Sequence, residues 1–248
     1  CQDPKRPLFP EKFPVEQLKL LYRQKMESGD PDSFYKQWLN EPLPKGRQPF
    51  PVEKVKWFDM SEVAKKHLTV VISVDPAFSQ NEWSDFTAIV AVGLDNAGRR
   101  YVLDVDKFQE KDAALLVGRI IKMAKKYWQN PLHALLTVGI EKGFLKNTLE
   151  PHLIKFAPWM PVEPLDHGNE DKDQRIIHSL QPFVATERVY LQRWMTELYD
   201  QMMRFPRANI ERDVLDALAY HVQLVPVWNT TSDYESPPPS VAECFWEK

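Results

Sequence analysis

The chain has 248 residues, of which 43% are hydrophobic, and its formal net charge is −3 at pH 7. This length suits one large domain or one domain with an arm, and a slightly acidic total excludes a wholly basic nucleic-acid-binding protein, although local basic patches can still contact phosphate. The two cysteines, Cys1 and Cys244, lie at opposite ends of the chain, which excludes a disulfide framework. No apolar run approaches the roughly 18 residues that cross a membrane, and we expect no membrane partner.

Proline is frequent and concentrated towards the two ends of the chain, with 21 residues in total. The stretches "PLFPEKF", "EPLPKG" and "PFPVEK" surround two predicted helices, at residues 15–27 and 33–39. We therefore expect residues 1–60 to form an ordered arm rather than an independent domain. Residues 226–248 show no periodicity, which predicts a flexible C-terminal tail.

Regular elements follow one another between these ends, in residues 61–225. Apolar runs and turn signals predict strands at residues 68–75, 87–94, 101–108, 134–141, 160–165 and 188–191. Helical periodicity predicts helices at residues 111–128, 145–156, 171–183, 193–203 and 211–224. The sequence "DNAG" at residues 95–98 predicts a hairpin turn. Three hairpin-connected strands followed by strand–helix units predict an α/β fold, with a mixed sheet flanked by helices.

Carboxylates stand where two of these strands end. Asp75 closes the first strand and Glu141 closes the fourth. Ligands of open α/β sheets collect beyond the carboxyl ends of parallel strands, so these two acids meet if their strands are parallel neighbours. Asp213 and Asp216 lie three residues apart in "ERDVLDALAY", on one side of the last helix, which can bring a further acid to the same edge.

Clustered carboxylates repel one another unless a cation binds between them. Mg²⁺ prefers oxygen ligands, and two such ions about 4 Å apart can activate a water and stabilise the leaving oxygen in phosphodiester cleavage. In that arrangement Asp75 bridges the two ions, and Glu141 and Asp213 each hold one. Each acid also has an ordinary interpretation: Asp75 as a turn former before proline, Glu141 as a solvated partner of Lys142, and Asp213 as a favourable charge at a helix N-terminus. The combination of the three favours the functional interpretation.

The chain resembles the nuclease domain of the large terminase subunit, the DNA-packaging motor protein of tailed bacteriophages. The matching segments are "VISVDPAFSQNEWSDFTAIVAVGLDNAGRRYVLD", "TVGIEKGFLKNTLEPHL", "KDQRIIHSLQPF" followed by "RVYL", and "RDVLDALAY", and "FYKQWLNEPLPKGRQPF" resembles the stretch between motor and nuclease. The likeness covers most of residues 10–224. It implies a ribonuclease-H-like fold and metal-dependent cleavage of duplex DNA, with catalytic acids at Asp75, Glu141 and Asp213.

The chain departs from the family pattern at Arg212, where the family often carries an acid immediately before the next one. Asp213 is therefore the expected third ligand and Asp216 the alternative. Asp85, in "SDFTA", matches a family motif position and is a candidate for supporting the metal ligands. The chain contains only eight glycines and no Gly-rich phosphate loop ending in Gly-Lys-Ser/Thr, so we expect no ATPase activity in it. The resemblance implies a C-terminal fragment whose residues 1–60 once joined the motor.

Four basic residues near the predicted site are candidates for DNA contact: Lys142, Lys146, Lys172 and Arg175. Such groups can neutralise phosphates near the metals, and they can equally be solvated helix ends. His167 and His221 remain open between a metal or proton-transfer role and that of ordinary polar residues.

The implied function is a metal-dependent endonuclease that cuts concatemeric duplex DNA with little sequence specificity. Its expected cofactor is Mg²⁺ or Mn²⁺, with two ions. Its expected partners are double-stranded DNA, the ATPase motor domain, the small terminase subunit and the portal, in the cytoplasm of the infected bacterial host. Two alternatives stay open: a ribonuclease-H-like resolvase or transposase, and a non-catalytic docking module for portal or motor.

Overall fold

A computed structural model describes residues 11, 13–27, 48–76, 86–110, 112–166, 171–206 and 211–225. The predicted helix at residues 33–39, Asp85, His167 and the C-terminal tail lie outside the described residues. The described elements are organised around one seven-stranded sheet.

The sheet is mixed, as predicted from the sequence. Its strands are β1 (Lys56–Phe58), β2 (Leu68–Asp75), β3 (Thr87–Leu94), β4 (Arg100–Phe108), β5 (His133–Glu141), β6 (Val162–Leu165) and β7 (Val189–Gln192), in the order β1-β7-β4-β3-β2-β5-β6. The pairs β2–β3 and β3–β4 are antiparallel, and β2–β5, β5–β6, β4–β7 and β1–β7 are parallel.

Helices cover both faces of the sheet. They are α1 (Val15–Glu27), α2 (Met60–Val63), α3 (Ala113–Lys125), α4 (Lys142–Phe144), α5 (Glu150–Phe156), α6 (Lys172–Ala185), α7 (Thr196–Arg204) and α8 (Asp213–Leu224). One layer contains α6, α7 and α8, with α8 packed on β2 and β3; the other contains α3, which packs against α5. In the part of the chain that the structure describes, no helix is long and apolar enough to span a bilayer.

Burial on both faces explains the uninterrupted apolar run of β2. Val71 belongs to the core on the α8 side, whereas Val70, Ile72 and Val74 belong to the core on the α3 side, and all four are fully buried. Side chains alternate across a strand, so a strand between two helical layers needs apolar residues at both parities. The same alternation turns Ser73 towards α8.

The hairpin between β3 and β4 forms at the predicted turn. The side chain of Asp95 accepts hydrogen bonds from the backbone N–H groups of Ala97 and Arg99, at 3.0 and 2.9 Å. Gly98 adopts φ of +72°, which a residue without Cβ tolerates at no steric cost.

Several boundaries differ from the sequence predictions. Asp112 caps α3 by accepting hydrogen bonds from the backbone of Ala114 and Leu115, so the helix begins later than predicted, and Leu115 is 57% exposed instead of facing the core. No sequence pattern predicts β1, a three-residue edge strand in the segment assigned to the arm. The helix predicted at residues 145–156 begins as a π-helical turn, Leu145–Leu149, and continues as α5, and the short helix α4 before it is not predicted.

Candidate active site

Asp75 and Glu141 end neighbouring parallel strands at the same edge of the sheet. Val74 of β2 is paired with Ile140 of β5, so the next residue of each strand is one of the two acids. The two strands are parallel neighbours, which is the condition under which Asp75 and Glu141 share a carboxyl edge.

Helix α8 is fixed directly on these two strands. The Ser73 hydroxyl donates a 2.6 Å hydrogen bond to the carbonyl oxygen of Ala217 inside the core. At Gly139 on β5, an added Cβ would lie 2.7 Å from both Cδ atoms of Leu224, so any larger residue would require that side chain at the end of α8 to move. This close docking brings the first turn of α8, with Asp213 and Asp216, to the carboxyl edge.

Asp75 lies within electrostatic reach of both acids of α8. Burial, together with the charges of Asp216 and Asp213, raises the pKa of Asp75 to about 8, and the cations Lys172 and Arg175 act in the opposite direction. A buried carboxylate crowded by like charges is costly, and it favours a cation at this position. This crowding is the feature of the site that points most directly to a bound positive charge.

Asp216 is held by two cations of α6. Its side chain is 1% exposed, with the Arg175 guanidinium 2.6 Å from Oδ1 and the Lys172 ammonium 2.5 Å from Oδ2. Arg175 is itself buried and lies 4.1 Å over the ring of Tyr220. Because α6 packs on α8, Arg175 lies in the interior and pairs with the carboxylate of Asp216. The sequence instead suggested that Arg175 is a surface residue that contacts DNA phosphate.

Asp213 is more accessible than Asp216, with a side chain 25% exposed. The ammonium of Lys107 lies 3.8 Å from it and also forms ion pairs with Glu197 at 2.6 Å and Glu211 at 2.7 Å. Burial raises the pKa of Asp213, while Lys107 and Lys172 lower it. No sequence pattern singles out Lys107, because its partners come from two other segments of the chain, at Glu197 and at Glu211 and Asp213.

Arg212, at the position where the resemblance leads one to expect an acid, forms an ion pair with Asp173 in the first turn of α6. This residue therefore adds a positive charge beside Asp213 and ties the start of α8 to α6.

Glu141 borders an open depression of about 400 Å³ at the ends of β5 and β6. Lys142, Lys146, Asn147 and Asp166 line the same depression. The π-helical turn that begins at Leu145 contributes two of these side chains, and π turns occur frequently at functional sites. Two of the four predicted DNA-contacting residues thus lie beside a predicted catalytic acid, and their contact with DNA stays a prediction.

His221 is a buried neutral residue with both ring nitrogens engaged. The Arg100 guanidinium donates to Nε2 at 3.1 Å, which leaves the proton on Nδ1 to be donated to the carbonyl oxygen of Leu218. Burial lowers the pKa of His221 to about 4, and the positive charge of Arg100 acts in the same direction. These contacts assign His221 to the packing of α8 on β4 and leave it no free nitrogen for a metal.

The described carboxylates of the candidate site are not arranged as a set of metal ligands. Among the described residues, no three of His, Cys, Asp or Glu are arranged to hold one ion. The ammonium of Lys172 and the guanidinium of Arg175 instead supply positive charge among Asp75, Asp213 and Asp216. The donor set is nevertheless of the right kind, because hard divalent cations prefer carboxylate oxygens.

Of the comparisons with known proteins, the one with solved structures found matches. No protein-family model matches the sequence, and a search of curated proteins found no match. Among solved structures, the large terminase nuclease domain of phage P22 matches with a TM-score of 0.50 and 16% identity, over 73% of this chain and 93% of that one. The large terminase nuclease of thermophilic phage G20c with bound magnesium matches with a TM-score of 0.52 and 13% identity, over 73% of this chain and 98% of that one. The same nuclease with bound cobalt matches with a TM-score of 0.51 and 12% identity, over 73% of this chain and 98% of that one.

These likenesses confirm the ribonuclease-H-like α/β fold predicted from the sequence, and they confirm that large terminase nuclease domains share it. Identities of 12 to 16% show the fold alone.

Proposed function

We propose that the chain is the nuclease domain of a viral DNA-packaging terminase, a metal-dependent endonuclease that hydrolyses phosphodiester bonds of concatemeric duplex DNA. The observation that carries this proposal is the crowding of Asp75 with the acids of α8 at the carboxyl edge, beside Glu141, on a fold that large terminase nucleases share. Such an arrangement needs cations, and it has the oxygen donors that bind them.

In this proposal Asp75, Glu141 and Asp213 would together hold two divalent ions. Bound Mg²⁺ or Mn²⁺ supplies an activated water and charge neutralisation at the scissile phosphate. Asp213 is preferred to Asp216 as the third ligand, because its side chain is 25% exposed whereas that of Asp216 is 1% exposed and already paired with two cations. The rigid mounting of Asp75 on a strand buried on both faces keeps the acid in position for this role.

The DNA is proposed to lie across the depression beside Glu141. Lys142 and Lys146 line that depression and can contact backbone phosphates. Phosphate contacts carry no sequence information, which agrees with cutting of little sequence specificity. In a longer protein the partners would be the ATPase motor domain, the small terminase subunit and the portal, in the cytoplasm of the infected host.

The test is plasmid nicking in the presence of Mn²⁺ or Mg²⁺, with Asp75→Asn as the variant. We expect the variant to lose cutting while keeping its fold. Charged Asp75 is disfavoured in the folded protein, so its neutral replacement should not lower the thermal midpoint measured without metal. Asp104→Asn is the control, because Asp104 is paired with Lys126 away from the site.

Undiminished cutting by Asp75→Asn would reject the assignment. A marked preference for branched over plain duplex DNA would favour a resolvase instead. The absence of both cutting and any metal-dependent thermal shift would favour the docking module.

A further inference from the structure

Lys172 occupies an unusual position for a lysine. It is the first residue of α6, directly after the capping residue Asp171, where the helix dipole disfavours a positive charge. Acidic side chains nearby must therefore hold the ammonium there, and the nearest is Asp216, 2.5 Å away.

Asp216 does not need Lys172 as its permanent partner. Arg175, one turn further along α6, already pairs with Asp216 at 2.6 Å, and its guanidinium is buried over Tyr220. The side chain of Lys172, by contrast, remains 45% exposed. The two cations thus differ in kind: Arg175 is fixed in the interior, and Lys172 can leave towards solvent.

Lys172 serves more than one acid. Its charge acts on Asp75 and on Asp213 as well as on Asp216. Lys107, on the other side of Asp213, divides its charge among two further acids, Glu197 and Glu211. Lys172 is thus a cation that Asp75, Asp213 and Asp216 share.

From this geometry we propose that the Lys172 ammonium is the resident counter-cation of the acid cluster, and that it is displaced when a divalent ion binds. The inference rests on the proposed function, since it assumes that metal binds at these acids. Lys172 is then a positioning residue that keeps Asp75, Asp213 and Asp216 together without metal and sets the affinity for metal by competing with it. A divalent ion brings two charges to the same acids and repels the ammonium towards solvent.

The test is a calorimetric Mn²⁺ titration of the whole chain without DNA, comparing the wild type with Lys172→Gln. In Lys172→Gln the ion no longer has to displace an ammonium from the acids, so Mn²⁺ binding should tighten about tenfold, taking a unit charge about 3 Å from a carboxylate and a water-like dielectric. Lys172→Arg keeps the charge and should bind close to the wild type. Lys126→Gln is the matched control, because Lys126 pairs with Asp104 at the surface and has a similar exposure of 50%, and its affinity should not change.

A second readout separates competition from a merely structural role. Without metal, Lys172→Gln should lower the thermal midpoint, and saturating Mn²⁺ should raise it by more than in the wild type. If the wild type binds Mn²⁺ and Lys172→Gln binds it equally or more weakly, displacement is wrong while the nuclease proposal stands. If neither protein binds Mn²⁺ and the wild type does not cut DNA, the proposed function fails and this inference fails with it.

Discussion

The buried histidine His221 makes the stability of the fold depend on pH in a way that one substitution should remove. His221 accepts a hydrogen bond from Arg100 at Nε2 and donates one from Nδ1 to Leu218, and the first of these contacts requires the neutral ring. In His221→Gln the side-chain oxygen can still accept from Arg100, and no group at this position titrates. The substitution therefore isolates protonation from packing.

The magnitude follows from the pKa in the folded state. Burial lowers the pKa of His221 from 6.5 to about 4, so the unfolded chain binds this proton over a range of pH in which the folded protein does not. The free energy of unfolding therefore falls as the pH falls through this window. The full shift corresponds to about 3 kcal/mol, of which about 2 kcal/mol is already lost at about pH 5.

The assay is urea unfolding of both proteins at about pH 7 and about pH 5. Other groups also titrate: the pKa of Asp75 is raised to about 8 and that of Asp200 to about 6, mainly by burial, and both work in the opposite direction. The difference between wild type and variant cancels these contributions. We expect the wild type to lose about 2 kcal/mol relative to His221→Gln on acidification. An equal difference between the two proteins at both pH values would show that protonation of His221 does not cause the pH dependence.

Three further experiments test how α8 is held. Gly139→Ala should destabilise the protein by about 1–3 kcal/mol and weaken Mn²⁺ binding, because its Cβ would push against the end of α8. Gly118→Ala is the control, since the space around Gly118 is open, and it should stabilise the protein by about 0.5–1 kcal/mol in thermal unfolding. If both substitutions changed the stability equally, the close packing of α8 on Gly139 would be contradicted. Arg175→Met should lower the free energy of unfolding in urea by about 3 kcal/mol, because it leaves the charge of Asp216 poorly compensated. Adding Asp216→Asn to this variant should recover part of the loss. If the losses of the two substitutions were additive, Arg175 and Asp216 would not stabilise the fold as an ion pair. Ser73→Ala should cost about 1 kcal/mol by leaving a buried carbonyl without its donor, and an unchanged urea midpoint would show that this hydrogen bond does not hold α8.

The central strands could be predicted from the sequence because their signals are local. The runs at Leu68–Asp75 and Thr87–Leu94 are bounded by turn residues, and both strands have the predicted limits. The strand Lys56–Phe58 could not be predicted, since three residues show no alternation and their pairing with Val189–Gln192 joins distant parts of the chain.

The position of the acids could also be predicted, but their counter-ions could not. Strand ends at Asp75 and Glu141 and the helical spacing of Asp213 and Asp216 indicate a common edge, and the sheet order provides it for the two strand ends. Which acid of α8 is buried depends on how α6 packs against it. The basic residues of α6, including Arg175, therefore look like phosphate contacts in the sequence although the structure turns them towards carboxylates.

The most direct test of the account is anomalous diffraction from crystals of this chain soaked in Mn²⁺. We predict an anomalous peak within about 2.2 Å of a carboxylate oxygen of Asp75, shared with Glu141 or Asp213, and with the Lys172 ammonium moved away from Asp216. Saturating Mn²⁺ that leaves Asp75 without a peak would contradict the proposal that these acids form the metal centre of a nuclease.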